Sequence, residues 1–127
     1  VSPWYESAPV PRSDQPWYMN AVVRVTSQLS PGDLLVELHD VEARFGRRRG
    51  ALNAARTLDL DLLDHNGAVS EDSDWPILPH PRMHARAFVI LPLRDLAPNW
   101  KHPRLELSVN ALAASLPVGP KIHRVGN

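Results

Sequence analysis

Hydrophobic positions along this chain change their period several times, and each change marks an element. Leu34, Leu35, Leu38, Val41 and Phe45 recur at three- and four-residue intervals, the spacing of one helix face. Ser30 before them is a good N-cap, Pro31 suits the first helical position and Asp33 falls in the first turn. Gly46 supplies a stop. The pattern predicts a helix bounded by Ser30 and Gly46. Thr57 to Leu63 alternates instead, with Leu58, Leu60 and Leu62 on one side and Thr57, Asp59 and Asp61 on the other. That is the period of a strand.

The rest of the pattern is less regular. Val1 to Tyr5 reads as the end of a strand, and Tyr18 to Ser27 is rich in β-formers, with Val22, Val23 and Val25. Ser7 to Pro16 holds Pro9, Pro11 and Pro16, which fix φ and remove donors, so a loop is expected. His65 to Trp75 is polar, contains Gly67 and reads as a second loop. Leu78-Pro79-His80-Pro81 is a rigid frame. Met83 to Phe88 predicts a short helix, and Phe88 to Leu93 is either a helix or a buried strand. Leu105 to Leu116 predicts a last helix, and Pro117 to Asn127 a loose tail. Strands and helices mixed with short links point to an α+β architecture rather than a doubly wound sheet.

Composition narrows the class. At 127 residues and 43% hydrophobic, the chain fits one domain with a real core. Formal net charge is +0, so no global field draws it to nucleic acid or to a membrane. There is no Cys, which removes disulfides, thiolate nucleophiles and cysteine-based zinc sites and suits the reducing cytoplasm. No apolar run reaches the ~18 residues of a membrane span, and nothing resembles a signal peptide. The chain starts at Val1 and enters strand-like sequence at once; a preceding N-terminal piece is expected.

Candidate chemistry is local. Asp59 and Asp61 are two apart, so on a strand their carboxylates project side by side. Two such anions repel unless a cation or a proton sits between them. Oxygen-only donors favour Mg²⁺. Taken alone, such a pair is more often a solvated strand face. Five arginines, Arg44, Arg47, Arg48, Arg49 and Arg56, crowd the residues just before it, with no acid among them from Arg44 to Arg56. Guanidinium forks match phosphate oxygens and stay charged. Alone, such a run is more often a solvated loop or a nucleic-acid patch. Together with the acidic pair it makes a metal–nucleotide site an equal contender.

Other residues are weaker candidates. His80 lies between prolines, with Arg86 and Phe88 shortly after; the plain alternative is a His capping a turn. His39 falls on the polar side of the helix and His123 in the tail, while His65, His84 and His102 are expected at the surface. No His pair has the spacing of a zinc helix. Tyr18 and Asn20 share strand parity, opposite Met19 and Ala21, and could read the face and edge of a flat heterocycle or simply serve strand pairing. No Walker loop or G-x-G-x-x-G is present, and no nucleophile–base pair stands out.

Several blocks, in order, resemble the 6-hydroxymethyl-7,8-dihydropterin pyrophosphokinase family. They are WYESAPVPRSDQPWYMNAVV (Trp4 to Val23), LLVELHDVEARFGRRR (Leu34 to Arg49), ARTLDLDLL (Ala55 to Leu63), LPHPRMHARAFVILPL (Leu78 to Leu93) and LAP (Leu96 to Pro98). The resemblance covers roughly Ser2 to Pro103. It implies a ferredoxin-like α+β fold: a four-stranded antiparallel sheet with helices packed on one face, plus catalytic loops. It implies a single pyrophosphokinase domain over 1–127, incomplete at its N-terminus, because the family's first strand and first helix have no counterpart here.

The same resemblance implies a Mg-dependent diphosphotransferase of folate biosynthesis, acting on ATP and the pterin alcohol with two Mg²⁺ ions. Asp59 and Asp61 would be the metal ligands, and Arg47, Arg49 and Arg56 would be catalytic with them. Glu42, Arg47, Arg49, Arg56, Leu62, Ile77, His80 and Arg86 would line the ATP site. Ser7, Ala8, Pro9, Val10, Tyr18, Asn20 and Phe88 would line the pterin pocket. Leu52-Asn53-Ala54-Ala55 stands where many members carry Trp-Gly-Pro, so an aromatic lid is in question at Asn53. Gly50 replaces a commonly basic position beside Arg48. A monomer is expected, with small-molecule partners, no nucleic acid and no membrane. The alternatives are a ferredoxin-like RNA- or nucleotide-binding module, or an inactive truncated homologue.

Overall fold

The computed structural model describes residues 1–8, 17–47, 58–71, 74–117 and 121–125. It divides into two compact units, Thr26–His80 and, separately, Val1–Val25 with Pro81–Asn127.

In the first unit, helix α1 runs Pro31–Arg47. The Ser30 hydroxyl accepts from the Asp33 N–H at 3.2 Å, the expected N-cap. Leu34, Leu35, Leu38 and Val41 are half-buried, so the apolar face is where the spacing put it. Phe45 is a correction: it is 53% exposed, so the covered face ends at Val41. The Trp75 ring lies against Gly32, where an added Cβ would stand 3.5 Å from it. His65 Nε2 meets the Leu29 carbonyl at 3.0 Å, next to a turn in which Asn66 and Gly67 take φ of 53° and 76°. The Ser70 hydroxyl holds the following loop, donating to Pro76 O at 2.9 Å and accepting from the Leu78 N–H at 2.7 Å.

The predicted strand over Thr57 to Leu63 does not form among the described residues, 58 to 63; Thr57 lies outside them. The reason is where the backbone groups are spent. The Leu60 N–H donates to Glu42 Oε2 at 2.6 Å, and the Leu63 carbonyl accepts from the His80 N–H at 2.8 Å. A helix side chain and a loop amide take the places that a strand ladder would fill.

In the other unit, strands β1 (Tyr5–Ser7), β2 (Tyr18–Asn20) and β3 (Ile122–Arg124) form an antiparallel sheet in the order β2-β1-β3. Tyr5 faces Asn20 on one side and Arg124 on the other. Helices α2 (Ala87–Leu96) and α3 (Val109–Ala114) pack on each other, and α2 also packs against β1 and β2. Val89, Ile90, Pro92 and Leu93 of α2 are buried, with Met83, Val109 and Leu112 beside them in the core. The open choice over Phe88 to Leu93 is thus settled as helix. It persists although Pro92 has no N–H to return to the Phe88 carbonyl.

Two polar ties fasten the sheet. The Tyr5 hydroxyl donates to Asp95 Oδ2 at 2.5 Å, joining β1 to the end of α2. Beyond β2, the Ser2 N–H donates to the Val22 carbonyl at 2.8 Å while the Ser2 hydroxyl accepts the Val22 N–H at 2.9 Å. Pairing of the Tyr18 to Ser27 stretch therefore shortens to a three-residue strand plus this serine bridge.

Other expectations are corrected. The sheet has three strands among the described residues, where the resemblance implied four. Its third strand comes from the segment read as a loose tail, held also by Ala8 N–H to Lys121 O at 2.9 Å and Val125 N–H to Trp4 O at 2.8 Å. The last helix begins at Val109, not Leu105, because Glu106 takes φ of 58° and Ser108 caps the Ala111 N–H at 3.0 Å. His102 is buried, not a surface group. Its Nδ1 accepts the N–H groups of Arg104 and Leu105 at 3.2 and 3.0 Å, which folds the turn before α3 around it.

Two outcomes test this packing. Ile90 is fully buried, so Ile90→Ala should cost about 2–5 kcal/mol in urea unfolding; a loss within experimental error would contradict the core. Burial, then the Asp95 hydrogen bond, raise the Tyr5 phenol above its ordinary value. Its contribution is complete below the unfolded value of about 10 and is lost as pH rises through the folded value. The stability difference between wild type and Tyr5→Phe should hold steady up to about pH 10 and shrink as pH rises above it; a difference that stays constant above that pH would contradict it.

Candidate functional site

In the Thr26–His80 unit, the candidate site is built on the tie between α1 and the segment after it. Glu42 is half-buried on α1, and its carboxylate holds the Leu60 amide. With Leu60 pinned there, alternation sends the flanking side chains the other way. Leu58, Leu60 and Leu62 are half-buried, while Asp59 and Asp61 are exposed. The two carboxylates thus share a side, as the spacing required, although no strand carries them. His80 is fixed through its backbone N–H to Leu63 O, at the far end of the same segment. Leu62 is half-buried and Ile77 is 51% exposed. Arg47 ends α1. Arg48, Arg49, Gly50, Asn53 and Arg56 lie outside the described residues.

In the other unit, three elements bring the heterocycle candidates together. Ser7 is buried in β1 and pairs with the exposed Tyr18 of β2; Asn20, half-buried, pairs with Tyr5. Tyr18 and Asn20 keep their shared parity, with Met19 between them facing the other side. Ala8 follows β1 and donates its N–H to Lys121 O. Phe88, in the first turn of α2, is half-buried, and the Arg86 guanidinium carbon lies 5.4 Å from its ring centroid. Pro9 and Val10 lie outside the described residues.

Two features were missed in the sequence. Glu42 was assigned only to the nucleotide side, yet here its carboxylate is spent on a backbone amide; an acid 18 residues from its partner leaves no periodic signal. The Arg86–Phe88 contact had a faint one, a cation two residues before an aromatic.

Among the described residues, no three His, Asp or Glu side chains gather as a metal cluster. Asp59 and Asp61 offer two exposed carboxylates to a cation. That donor set fits magnesium held jointly with phosphate, as in nucleotide sites. Among the described residues, no helix is long and apolar enough to cross a membrane.

The described residues build three short antiparallel strands and three α-helices, an α+β class, and one of those helices braces the segment that bears the acidic pair. Residues 1–98 match the 7,8-dihydro-6-hydroxymethylpterin-pyrophosphokinase family, and the chain belongs to that family. It is 40% identical over 107 residues to a 2-amino-4-hydroxy-6-hydroxymethyldihydropteridine pyrophosphokinase of Haemophilus influenzae, covering 84% of this chain and 66% of that protein. The enzyme of the same name from Pseudomonas aeruginosa is 44% identical over 105 residues, 81% of this chain and 63% of that one. The folic acid synthesis protein FOL1 of Dictyostelium discoideum is 38% identical over 121 residues, 95% of this chain but only 18% of its own length. The chain thus spans less than two thirds of these relatives.

The brace is directly testable. Glu42→Ala removes a charge-assisted bond of about 1.5–3 kcal/mol. Amide hydrogen exchange at Leu60 should quicken by about 10- to 100-fold. Unchanged exchange would show that the carboxylate does not hold the segment.

Proposed function

We propose that the protein transfers diphosphate from ATP to 6-hydroxymethyl-7,8-dihydropterin, within folate synthesis, on a ferredoxin-like fold. Family membership supports the reaction class. The observation that carries the reading is the Asp59–Asp61 pair, turned outward by the Glu42 brace.

The reaction needs little covalent help from the protein. The pterin hydroxymethyl oxygen forms a bond to the β-phosphorus. The bond from that phosphorus to the α,β-bridging oxygen breaks, and AMP leaves with the oxygen; the hydroxyl proton passes to solvent. Catalysis of this kind is mainly positioning and charge neutralisation. Magnesium, two ions in this reading, supplies neutralisation of the phosphates and a lower pKa for the attacking hydroxyl. Asp59 and Asp61 would hold it. Arg47, Arg49 and Arg56 take up charge on the transferred and leaving oxygens, with His80 and Arg86 on further phosphate oxygens. Glu42 fixes the strip that bears the aspartates, and Leu62 and Ile77 border the adenine. Tyr18 and Asn20, with Ser7, Ala8, Pro9 and Val10, receive the pterin, whose face stacks on Phe88.

An RNA-binding reading could use Trp4 and Trp17 beside the sheet, which are 51% and 37% exposed. It leaves the paired aspartates without a task, since bare carboxylates repel a phosphate backbone.

The test is AMP release from ATP, dependent on the pterin alcohol and on Mg²⁺. Asp59→Ala and Asp61→Ala should each lower the rate by about a hundredfold or more, with unfolding midpoints unchanged. Normal turnover in either variant would remove the metal role. Pterin-independent ATP hydrolysis alone would contradict the reaction.

A further inference from the structure

The Arg86 side chain sits where a helix cap would sit, but it does not cap. Arg86 is the N-cap residue of α2, with φ of −108° and ψ of 112°, and no side-chain capping bond is made. Its backbone does the work of the helix start: the carbonyl accepts the N–H groups of Val89 and Ile90 at 3.0 and 2.9 Å, and its own N–H donates to Met83 O at 3.2 Å. The extended backbone at the cap leaves the side chain free to turn over the first helical residues. The guanidinium lies over the Phe88 ring, 5.4 Å from carbon to centroid, within the range in which a cation is attracted to the ring's negative face.

We propose that Arg86, beside any phosphate contact it makes, is a positioning and specificity residue for the pterin, acting through Phe88. This rests on the reading that Phe88 stacks on the pterin. Two physical effects follow from the contact. The guanidinium packs on the ring of half-buried Phe88 and favours one ring orientation, so less rotamer freedom is lost when a ligand stacks. The cation also draws the ring's π-electrons toward its own face. The opposite face becomes less negative and repels an incoming π-system less. The benefit is larger for an electron-rich heterocycle than for an electron-poor one, because stacking of two negative faces is what the quadrupole opposes. Arg86 therefore favours the reduced, electron-rich dihydropterin over the fully oxidised pterin with the same hydrogen-bonding edge.

A guanidinium that served phosphate alone would leave pterin binding untouched when no nucleotide is present. That distinction sets the experiment: titration calorimetry of the protein with dihydropterin alcohol and with its oxidised counterpart, both without ATP. Wild type is compared with Arg86→Gln, which keeps a flat polar end without charge, and Arg86→Lys, which keeps the charge. Gln should weaken dihydropterin binding about two- to fivefold, the worth of a partly exposed cation–π contact. It should weaken oxidised pterin less, and Lys should restore part of the loss. Chemical-shift perturbation of the Phe88 ring protons in Arg86→Gln, with an unchanged unfolding midpoint, would mark the effect as local. Equal binding of both pterins by wild type and Arg86→Gln would overturn the proposal while leaving the diphosphotransfer reading standing. Failure of wild type to bind either pterin would instead sink the stacking role of Phe88, and this inference with it.

Discussion

One hydrogen bond governs the arrangement of the acidic residues: the Leu60 amide on the Glu42 carboxylate, 2.6 Å apart. It joins a helix to a stretch of chain with no strand partner among the described residues. Fixing one amide of an alternating sequence fixes the side on which its neighbours stand. With Leu58, Leu60 and Leu62 half-buried, Asp59 and Asp61 have only the solvent side. A second bond, from His80 to the Leu63 carbonyl, stops the far end from slipping. A one-residue slip would bury both carboxylates and expose three leucines, which is why so small a tie matters.

The other unit is organised by burial, with polar groups used only as fasteners. The short sheet cannot stand alone at three residues per strand. It is held by α2, whose Ile90 and Leu93 are buried, and by the tyrosine hydroxyl that reaches Asp95. The same helix presents Phe88 and, one step before its start, Arg86. The core and the residues proposed for the heterocycle are thus two sides of one element. The residues read as contacting the heterocycle sit on β1, β2 and the first turn of α2, the elements that pack on one another.

Much of this was legible in the chain, for reasons that differ from residue to residue. The α1 spacing and the Ser30 cap are local signals; the cap holds, and the spacing holds as far as Val41. Alternation from Leu58 to Leu62 correctly sorted the aspartates from the leucines, because side-chain parity follows extended backbone whether or not a ladder forms. The ladder itself was not legible, since it depends on what the Leu60 amide meets 18 residues away. Nor was β3: Ile122 to Arg124 has too few residues for a period, and it is a strand only because β1 has a free edge for it. His102 looked like a surface group because His is polar. Its acceptor nitrogen satisfies two amides of a tight turn, a role no composition reveals. The arginines most expected in chemistry, Arg49 and Arg56, lie outside the described residues, so their roles rest on motif alone.

The central claim is that Asp59 and Asp61 hold a divalent cation together with a nucleotide's phosphates. Paramagnetic broadening tests it most directly, with Mn²⁺ as the probe and amide resonances as the readout. Mn²⁺ added with a non-hydrolysable ATP analogue should selectively broaden the amides of Asp59, Leu60 and Asp61, and far less so with Mn²⁺ alone. Broadening centred elsewhere in the chain, or equal with and without the nucleotide, would contradict the account.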